Sequence, residues 1–461
     1  MQNLYYEVGS LDKRCYEEFA LTEDILMEHA ASSILDFIEN KFEQNSSVLI
    51  VCGMGNNGAD GIALGRLLHK KFDVKLYIPF ELKSQMAQLQ YKRAGLLGVK
   101  VVEELSQSDV IVDCLFGSGL TRDLDTNIQN IIEKLNSYDS YKIACDIPTG
   151  IDFKGEVTTT AFYANTTITM GALKVSLYSD MAKDYVGEIF VANLGVQREV
   201  YENDTSVYLL DKEDLKLPLR DKKDSHKGTF GHLNVVAGSK KGAAVIAAKA
   251  AFGFGAGLVS VICHECVDLP YHIMQTHKLS SNCTAIAIGM GLGIYEKKEI
   301  EEILQTNLPI IIDADLFYED IIKVVLNKEV VLTPHPKEFC ALLKICDIAD
   351  IDVKQLQKDR FKYIKQFSTK YPKVVVLLKG ANVLISQNQS IYVNSFGSAV
   401  LSKGGSGDVL SGLVASLLAQ GYKPLDAAIS ASLAHAMAAQ NYRKNNYSLI
   451  PSDLVEEVKK L

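Results

Sequence analysis

The sequence predicts an α/β protein of two domains, the first built on a parallel sheet with helices on both faces, the second a further α/β series. Three observations carry this. Short apolar runs alternate with stretches of helical period through both halves of the 461 residues, as expected for buried strands joined by crossover helices. Polar, glycine-containing turns fall where the apolar runs end, at the edge where such sheets bind ligands. Residues 193–227 are polar, with charge runs Asp211-Lys212-Glu213-Asp214 and Arg220-Asp221-Lys222-Lys223-Asp224, and this is where the boundary falls.

Taken in order, Leu11 to Phe42 reads as one or two amphipathic helices, with Met27, Ala30, Ala31, Ile34, Leu35 and Ile38 on one stripe. Val48 to Cys52 is a buried strand, Gly53 to Gly61 a glycine-rich turn and Ile62 to Lys71 a helix. Strands follow at Val74 to Ile78, Val99 to Val102, Val110 to Leu115 and Ile143 to Ile147, with helices at Leu82 to Leu97 and Ile128 to Leu135. Beyond the boundary, Leu233 to Ala237 opens the second series. It leads through a turn at Gly238 to Gly242, a small-residue helix Ala243 to Phe252 and a strand Leu258 to Cys263. Apolar runs then end in Gly289-Met290-Gly291-Leu292-Gly293, in Asp313-Ala314-Asp315, in Thr333-Pro334-His335-Pro336-Lys337-Glu338 and in Lys379-Gly380-Ala381-Asn382.

Composition narrows the partners. A net charge of −8 and the lack of any Lys/Arg block speak against nucleic acid. The weakly polar run Gly242 to Cys263 contains Lys249 and four glycines, so no membrane span is expected. Met1 to Glu7 lacks a basic region followed by an apolar one. Cysteines are odd in number, nine, and Cys52, Cys114 and Cys145 sit in apolar runs, which suits reduced thiols in the cytoplasm. Cys263-His264-Glu265-Cys266 has the look of half a zinc knuckle but no second pair at ligand spacing; packing is the better reading. Apolar faces on helices such as Ala243 to Phe252 make a homo-oligomer the expectation.

The chemistry concentrates in Gly404-Gly405-Ser406-Gly407-Asp408, ahead of the helical run Val409 to Gln420. Three glycines let backbone N–H groups converge at a helix N-terminus, where an anion is favoured. Asp408 would repel a phosphate seated on it but can take a proton from a hydroxyl attacking that phosphate; the competing reading is a helix cap. Lys379-Gly380-Ala381-Asn382 gives a nucleotide close access to backbone, and His335, held between two prolines, can touch a phosphate or ring. His226, His232 and His435 read as structural. In the first domain three turns present oxygen atoms beside glycine: Asn56 to Gly61, Asp113 to Leu120 and Asp146 to Gly150. Gly53 to Gly58 satisfies GxGxxG, with Glu81 downstream, yet two asparagines and Asp60 compete with a pyrophosphate for the helix end. The oxygens of Asn57, Asp113 and Thr149 suit a hard cation, or else cap loops as Asx side chains do.

Asn56 to Gly61, Leu115 to Leu120, Asp146 to Gly150 and Met170-Gly171-Ala172-Leu173-Lys174 resemble the YjeF N-terminal domain, the NAD(P)H-hydrate epimerase. His226 to His232, Ala237 to Ser239, Gly289 to Gly293, Thr333 to Glu338, Lys379 to Asn382 and Gly404 to Asp408 resemble the ribokinase-like NAD(P)H-hydrate dehydratase. The resemblance spans nearly the whole chain. It implies a Rossmann-like three-layer α/β/α domain over 1–208 and a ribokinase-like α/β domain over 209–461. It further implies that the first domain interconverts the R and S hydrates of NADH and NADPH (NADHX and NADPHX), and that the second uses ADP to dehydrate the S form, giving AMP and phosphate. Asn56, Asn57, Gly58, Ala59, Asp60, Gly117, Ser118, Gly119, Leu120, Thr121, Arg122, Asp123 and Asp146 would line the epimerase pocket. Asn57, Asp113 and Thr149 would surround potassium, Thr149 keeping the hydroxyl of the family's commoner serine. Ala243, Gly291, His335 and Asp408 would touch the hydrate, while Lys379, Gly380, Ala381, Asn382, Val383 and Gly407 would hold the adenine nucleotide with magnesium. Asp146 and Asp408 are the expected catalytic residues. Two rival readings are a small-alcohol kinase whose phosphorylated product is released, and a first domain that senses or scaffolds without catalysis. Thr333 to Pro336, the attached first domain and retention of Asp146, Asn57, Asp113 and Thr149 favour the two-site enzyme.

Overall fold

The computed structural model describes residues 1–120, 123–157, 159–265 and 267–461. Thr121 and Arg122 of the expected epimerase pocket, and Cys266 of the cysteine motif, lie outside the described residues. The chain divides into two compact units, Asn3–Thr205, and Ser206–Leu461 with Met1–Gln2. Both are α/β, the fold class the sequence implies.

In the first unit, seven strands form an all-parallel sheet. Their order is Lys100–Val102, Asp73–Tyr77, Ser47–Cys52, Val110–Cys114, Tyr141–Cys145, Thr166–Met170, Glu188–Ala192. Alternate residues of the central strand enter different layers: Val48, Ile50 and Cys52 pack with Ile62 and Leu64 on one face, Leu49 and Val51 with Ile132 and Leu135 on the other. A strand covered on both sides has no polar face to show, hence the unbroken apolar run. Chain order reverses between Ser47–Cys52 and Val110–Cys114, so the loops that leave them diverge and open a crevice.

The first helix after the crevice begins earlier than its composition suggests. Gly53 to Gly61 reads as turn, yet the helix runs Asn56–Leu68 and only the stretch before it is loop. Its glycines serve close approach: a Cβ on Gly58 would lie 2.0 Å from the Gly53 carbonyl oxygen, and one on Gly61 2.7 Å from Cys114 Sγ. Asn56 to Asp60 therefore project from a helix N-terminus, not from a loop.

The second unit's sheet runs Met274–Thr276, Leu258–Ile262, His232–Val236, Ala285–Ile288, Ile310–Ile312, Val330–Leu332, Val375–Leu378, all parallel. It continues through the antiparallel strands Val383–Gln387 and Ser390–Asn394 to Val207–Leu209. Here chain order reverses between His232–Val236 and Ala285–Ile288. Helix Lys241–Gly253 packs on helix Ser406–Ala419 so closely that a Cβ on Gly412 would sit 2.3 Å from the Ala247 carbonyl oxygen. The small-residue face expected to support self-association (Ala244, Ala247, Ala248, Ala251) is thus buried inside its own unit. His435, on helix Pro424–Asn441, meets the first residue of Ser406–Ala419, its Nε2 lying 3.0 Å from the Ser406 carbonyl oxygen. Among the described residues, no helix is long and apolar enough to cross a membrane.

Because Gly412 faces backbone rather than a pliable side chain, Gly412→Ala is expected to destabilise the second unit by about 1–3 kcal/mol. Differential scanning calorimetry would show its transition moving down while that of the first unit stays in place.

Candidate active sites

At the end of strand Tyr141–Cys145, Asp146 adopts φ 71°, a backbone region that few residues other than glycine, asparagine and aspartate enter. Its carboxylate is fully engaged. Lys174 Nζ donates to Oδ1 at 2.6 Å, the Met170 N–H at 3.2 Å, and the Ser118 N–H donates to Oδ2 at 3.1 Å. Lys174 also donates to Thr169 Oγ1 at 2.8 Å and to the Met170 carbonyl at 3.1 Å. Burial alone would raise the Asp146 pKa; the Lys174 charge and hydrogen bond outweigh it and hold the carboxyl below its ordinary value. A Cβ on Gly117 would lie 2.8 Å from Asp146 Oδ2 and 3.3 Å from Asn57 Oδ1. Asn57, Gly117, Ser118 and Asp146 therefore meet at one point.

Asp60 completes the contrast. Burial, and then the charges of Asp146, Asp12 and Glu23, push its pKa well above the usual carboxylate value. Two carboxyls of one crevice are thus shifted in opposite directions, the arrangement from which an acid and a base can be drawn. Asp12 is held by Tyr201, whose hydroxyl donates to Oδ1 at 2.7 Å. The Tyr201 ring in turn abuts Gly171, where a Cβ would come within 2.6 Å, so it braces the turn that presents Lys174.

Asp113 and Thr149 bind each other: Thr149 Oγ1 donates to Asp113 Oδ1 and its N–H to Oδ2, both at 2.8 Å. The Leu115 N–H adds a bond to Asp113 Oδ1 at 3.1 Å, and the Phe116 N–H donates to Thr149 Oγ1 at 3.1 Å. Burial pushes the Asp113 carboxyl up to about 6, against the pull of these bonds. The Asn57 amide is buried with neither its oxygen nor its nitrogen hydrogen-bonded, an expensive arrangement without a further partner. A carboxylate, a hydroxyl and an orphaned amide oxygen fit a hard monovalent cation. Asn56 stands apart, donating to Glu23 Oε1 at 2.5 Å; Asp123 is exposed and Leu120 is buried in the core.

In the second unit the centre is an ion pair. Lys379 Nζ donates to Asp313 Oδ1 at 2.8 Å, and Ser411 Oγ donates to Oδ2 at 2.7 Å. Glu338 Oε2 lies 3.9 Å from the same ammonium. Burial lowers the Lys379 pKa, but Asp313, Glu338 and Asp408 more than reverse it and the group stays charged. Burial raises Glu338 to about 7 despite Lys379. Asp408 sits in the first turn of Ser406–Ala419, whose N-cap is Gly405 at φ 88°, so the capping role belongs to the glycine. Burial first, then Asp313, raises the Asp408 pKa, with Lys379 opposing; a carboxylate made more basic in this way is a better proton acceptor. Gly407 lies against the lysine, a Cβ there falling 3.5 Å from Nζ.

His335 caps helix Pro336–Ile345: its Nδ1 accepts from the N–H groups of Lys337 at 3.1 Å and Glu338 at 3.3 Å. Burial and Lys379 lower its pKa, and its Nε2 lies 3.1 Å from Glu338 Oε1 on a half-exposed ring. Gly291 and Ala243 adjoin, a Cβ on the former falling 3.2 Å from Ala243 Cβ. The Lys379-Gly380-Ala381-Asn382 turn joins strands Val375–Leu378 and Val383–Gln387, with Val383 opening the latter. Its shape is set by Arg360, which donates to the carbonyls of Leu378 at 3.3 Å, Lys379 at 3.1 Å and Asn382 at 3.0 Å.

Sequence reasoning missed Lys174, Asp313, Glu338, Ser411, Arg360 and the Asp12–Tyr201 pair as site residues. Four carried signals: Asp313 begins a polar strand-end turn, Lys174 closes the Met170 to Lys174 motif, Glu338 closes the Thr333 to Glu338 motif, and Ser411 stands three residues after Asp408. Arg360 and Tyr201 carried none, because each reaches its partner across the fold. Among the described residues, which do not include Cys266, no group of three His, Cys, Asp or Glu is placed to hold a metal ion.

Two α/β units, one with an acid–base crevice and one with a lysine-neutralised glycine loop beside a basic carboxylate, define an enzyme with two separate sites. The family model for NAD(P)H-hydrate dehydratase matches residues 233–460, and that for the YjeF-related protein N-terminus matches residues 23–176. The chain is 46% identical to the bifunctional NAD(P)H-hydrate repair enzyme of Helicobacter pylori over 100% of both chains. It is 29% identical to that of Escherichia coli, over 93% of this chain and 87% of the relative. A crystal structure of the ADP/ATP-dependent NAD(P)H-hydrate dehydratase of Bacillus subtilis, co-crystallised with ATP and Mg2+, is 27% identical with TM-score 0.47, covering 55% of this chain and 97% of that one. The chain belongs to the bifunctional NAD(P)H-hydrate repair enzymes, with an epimerase domain and a dehydratase domain.

Arg360→Lys keeps the charge but loses the planar fork. It is expected to slacken the Lys379 to Asn382 turn and to raise the nucleotide KM about tenfold in steady-state dehydration assays, since small misplacements weaken bound geometry.

Proposed function

We propose that the two sites divide the repair of hydrated nicotinamide dinucleotides, NADHX and NADPHX, between Asp146 and Asp408. In the first unit Asp146, kept ionised by Lys174, and Asp60, kept protonated, serve as base and acid on the hydrated ring. Loss of the ring hydroxyl as water and readdition of water on the other face interconvert R and S, one carboxyl supplying the proton and the other accepting it. Asn57 and Asp60, with the Gly117-Ser118-Gly119 turn, hold the substrate. Potassium would be held by Asn57, Asp113 and Thr149; the chemistry it supplies is fixed positive charge that braces the loops.

In the second unit Asp408 removes the proton from the hydroxyl of the S hydrate as its oxygen attacks the terminal phosphorus of ADP, and AMP leaves. Lys379 and the N–H groups from Gly404 to Gly407 neutralise the charge of the transferring group. The new phosphate ester then departs with its C–O electron pair, driven by the ring nitrogen lone pair, and loss of a proton from the adjacent carbon restores the dihydronicotinamide. Hydroxide is a poor leaving group, and phosphorylation replaces it with a good one. Ala243, Gly291 and His335 line the hydrate side; Lys379 to Val383 and Gly407 line the nucleotide side. Magnesium would arrive with the nucleotide phosphates, where it usually binds, since Asp313 is already occupied by Lys379 and Ser411.

The observation that carries this reading is the Lys379–Asp313–Ser411 network beside Asp408 at a helix start opened by Gly405. We propose domain limits of 1–208 and 209–461, a cytoplasmic protein, and a homo-oligomer, the last supported by the full exposure of Tyr271 and Ile294.

The test is to incubate a mixture of R and S NADHX with the protein and ADP, following the return of dihydronicotinamide absorbance. Asp408→Asn is expected to abolish recovery, a loss of at least about a hundredfold for a residue that moves a proton in the rate-limiting step. Asp146→Asn is expected to leave S repairable and to hold R to its spontaneous epimerisation rate. Unchanged recovery in Asp408→Asn contradicts the reading.

A further inference from the structure

The dehydratase sheet reverses its strand order between His232–Val236 and Ala285–Ile288, and a cavity of about 450 Å3 opens there. Open α/β sheets bind ligands at such switch points, and this volume falls in the range that small-molecule sites occupy. Ser239 and Leu292 belong to its lining and are locked together, the Ser239 N–H donating to the Leu292 carbonyl at 3.0 Å. The Lys240 N–H donates to the Gly291 carbonyl at 3.0 Å. The cavity thus shares its inner wall with the loops that carry Gly291 and Ala243 on the hydrate side.

The nucleotide side lies the other way. From Ala285–Ile288 the sheet passes through Ile310–Ile312 and Val330–Leu332 before reaching Val375–Leu378 and the Lys379 turn. A dinucleotide with its hydrated ring between these landmarks must place its adenosine half away from the incoming ADP, and the cavity lies on that side. Tyr295 and Ile294 in its lining offer ring and apolar surface for a base.

Its charge is selective. Glu265, Glu296 and Glu299 line it against one lysine, Lys241, and one histidine, His264. Both nitrogens are already spoken for: Lys241 Nζ lies 2.6 Å from Glu265 Oε2, and His264 Nε2 lies 3.0 Å from Glu299 Oε2. A carboxylate accepts hydrogen bonds from a free ribose 2′-hydroxyl, whereas a 2′-phosphate calls for an unpaired arginine or lysine. Like charges brought together across an interface are costly.

Resting on the functional reading above, we infer that this cavity receives the adenosine half of the hydrated dinucleotide and that its carboxylates favour the free ribose diol over the 2′-phosphate. The dehydratase is therefore selective for NADHX over NADPHX.

The test measures kcat/KM for the S forms of both hydrates at saturating ADP, in the full chain and in a Glu265→Gln, Glu296→Gln, Glu299→Gln variant. The unmodified protein should prefer NADHX by about fivefold, the size of one exposed charge contact. That preference should shrink as salt is added, because exposed charges are screened. In the variant the two hydrates should draw level, chiefly through a lower KM for NADPHX. A preference unchanged by the substitutions, or an unmodified protein that favours NADPHX, overturns the inference while leaving the dehydratase reading intact. Failure to dehydrate either hydrate would instead overturn the functional reading and this inference with it.

Discussion

The second unit depends on a buried ion pair. Asp313 ends a central strand, Lys379 ends another two positions away across the sheet, and their contact at 2.8 Å ties both strand ends to Ser411 on the catalytic helix. Taking such charges from water is costly, and removing one partner of a buried pair typically costs about 3–5 kcal/mol. That cost is accepted where a lysine must be held rigid in a phosphate site. Because Asp313 is already neutralised, the nearby Asp408 experiences both signs, and burial decides the balance in favour of a more basic carboxylate. The same lysine keeps Glu338 from rising further and lowers His335. Burial is the larger influence on each of these groups, opposed by the lysine at Asp408 and Glu338 and reinforced by it at His335.

The first unit solves a related problem with the same elements arranged differently. Lys174 pairs with Asp146 directly, so that carboxylate itself is stabilised as an anion. Asp60, buried without such a cation, has its pKa pushed well above the usual carboxylate value. Burial and neighbouring charge thus shift two aspartates of one crevice in opposite directions. The left-handed backbone of Asp146 and the missing side chain at Gly117 are the geometric conditions for this arrangement.

Much of this was legible in the sequence. Continuous apolar runs identify buried parallel strands, and polar turns after them point to the sheet edge where both crevices lie. The helix at Asn56 was harder to read, since Gly58 and Gly61 resemble turn residues and act in packing. Asp408 could be singled out because its chemistry is local to five consecutive residues. Arg360, Tyr201 and Asp313 act on partners 19, 189 and 66 residues away, and no spacing along the chain encodes such meetings. The small-residue helix misled for a related reason: its apolar face answers Gly412 within the same unit, which composition cannot reveal.

The central claim is that the ring oxygen leaves as part of phosphate, after Asp408 has freed it to attack. Hydrate prepared in water enriched in oxygen-18 carries the label in its ring hydroxyl. Dehydrated in ordinary water with ADP by the Asp146→Asn variant, whose first unit no longer exchanges that hydroxyl with solvent, its S form should release inorganic phosphate bearing one labelled oxygen, seen by mass spectrometry or by the phosphorus-31 isotope shift. Unlabelled phosphate, with the label recovered in water, would contradict the account.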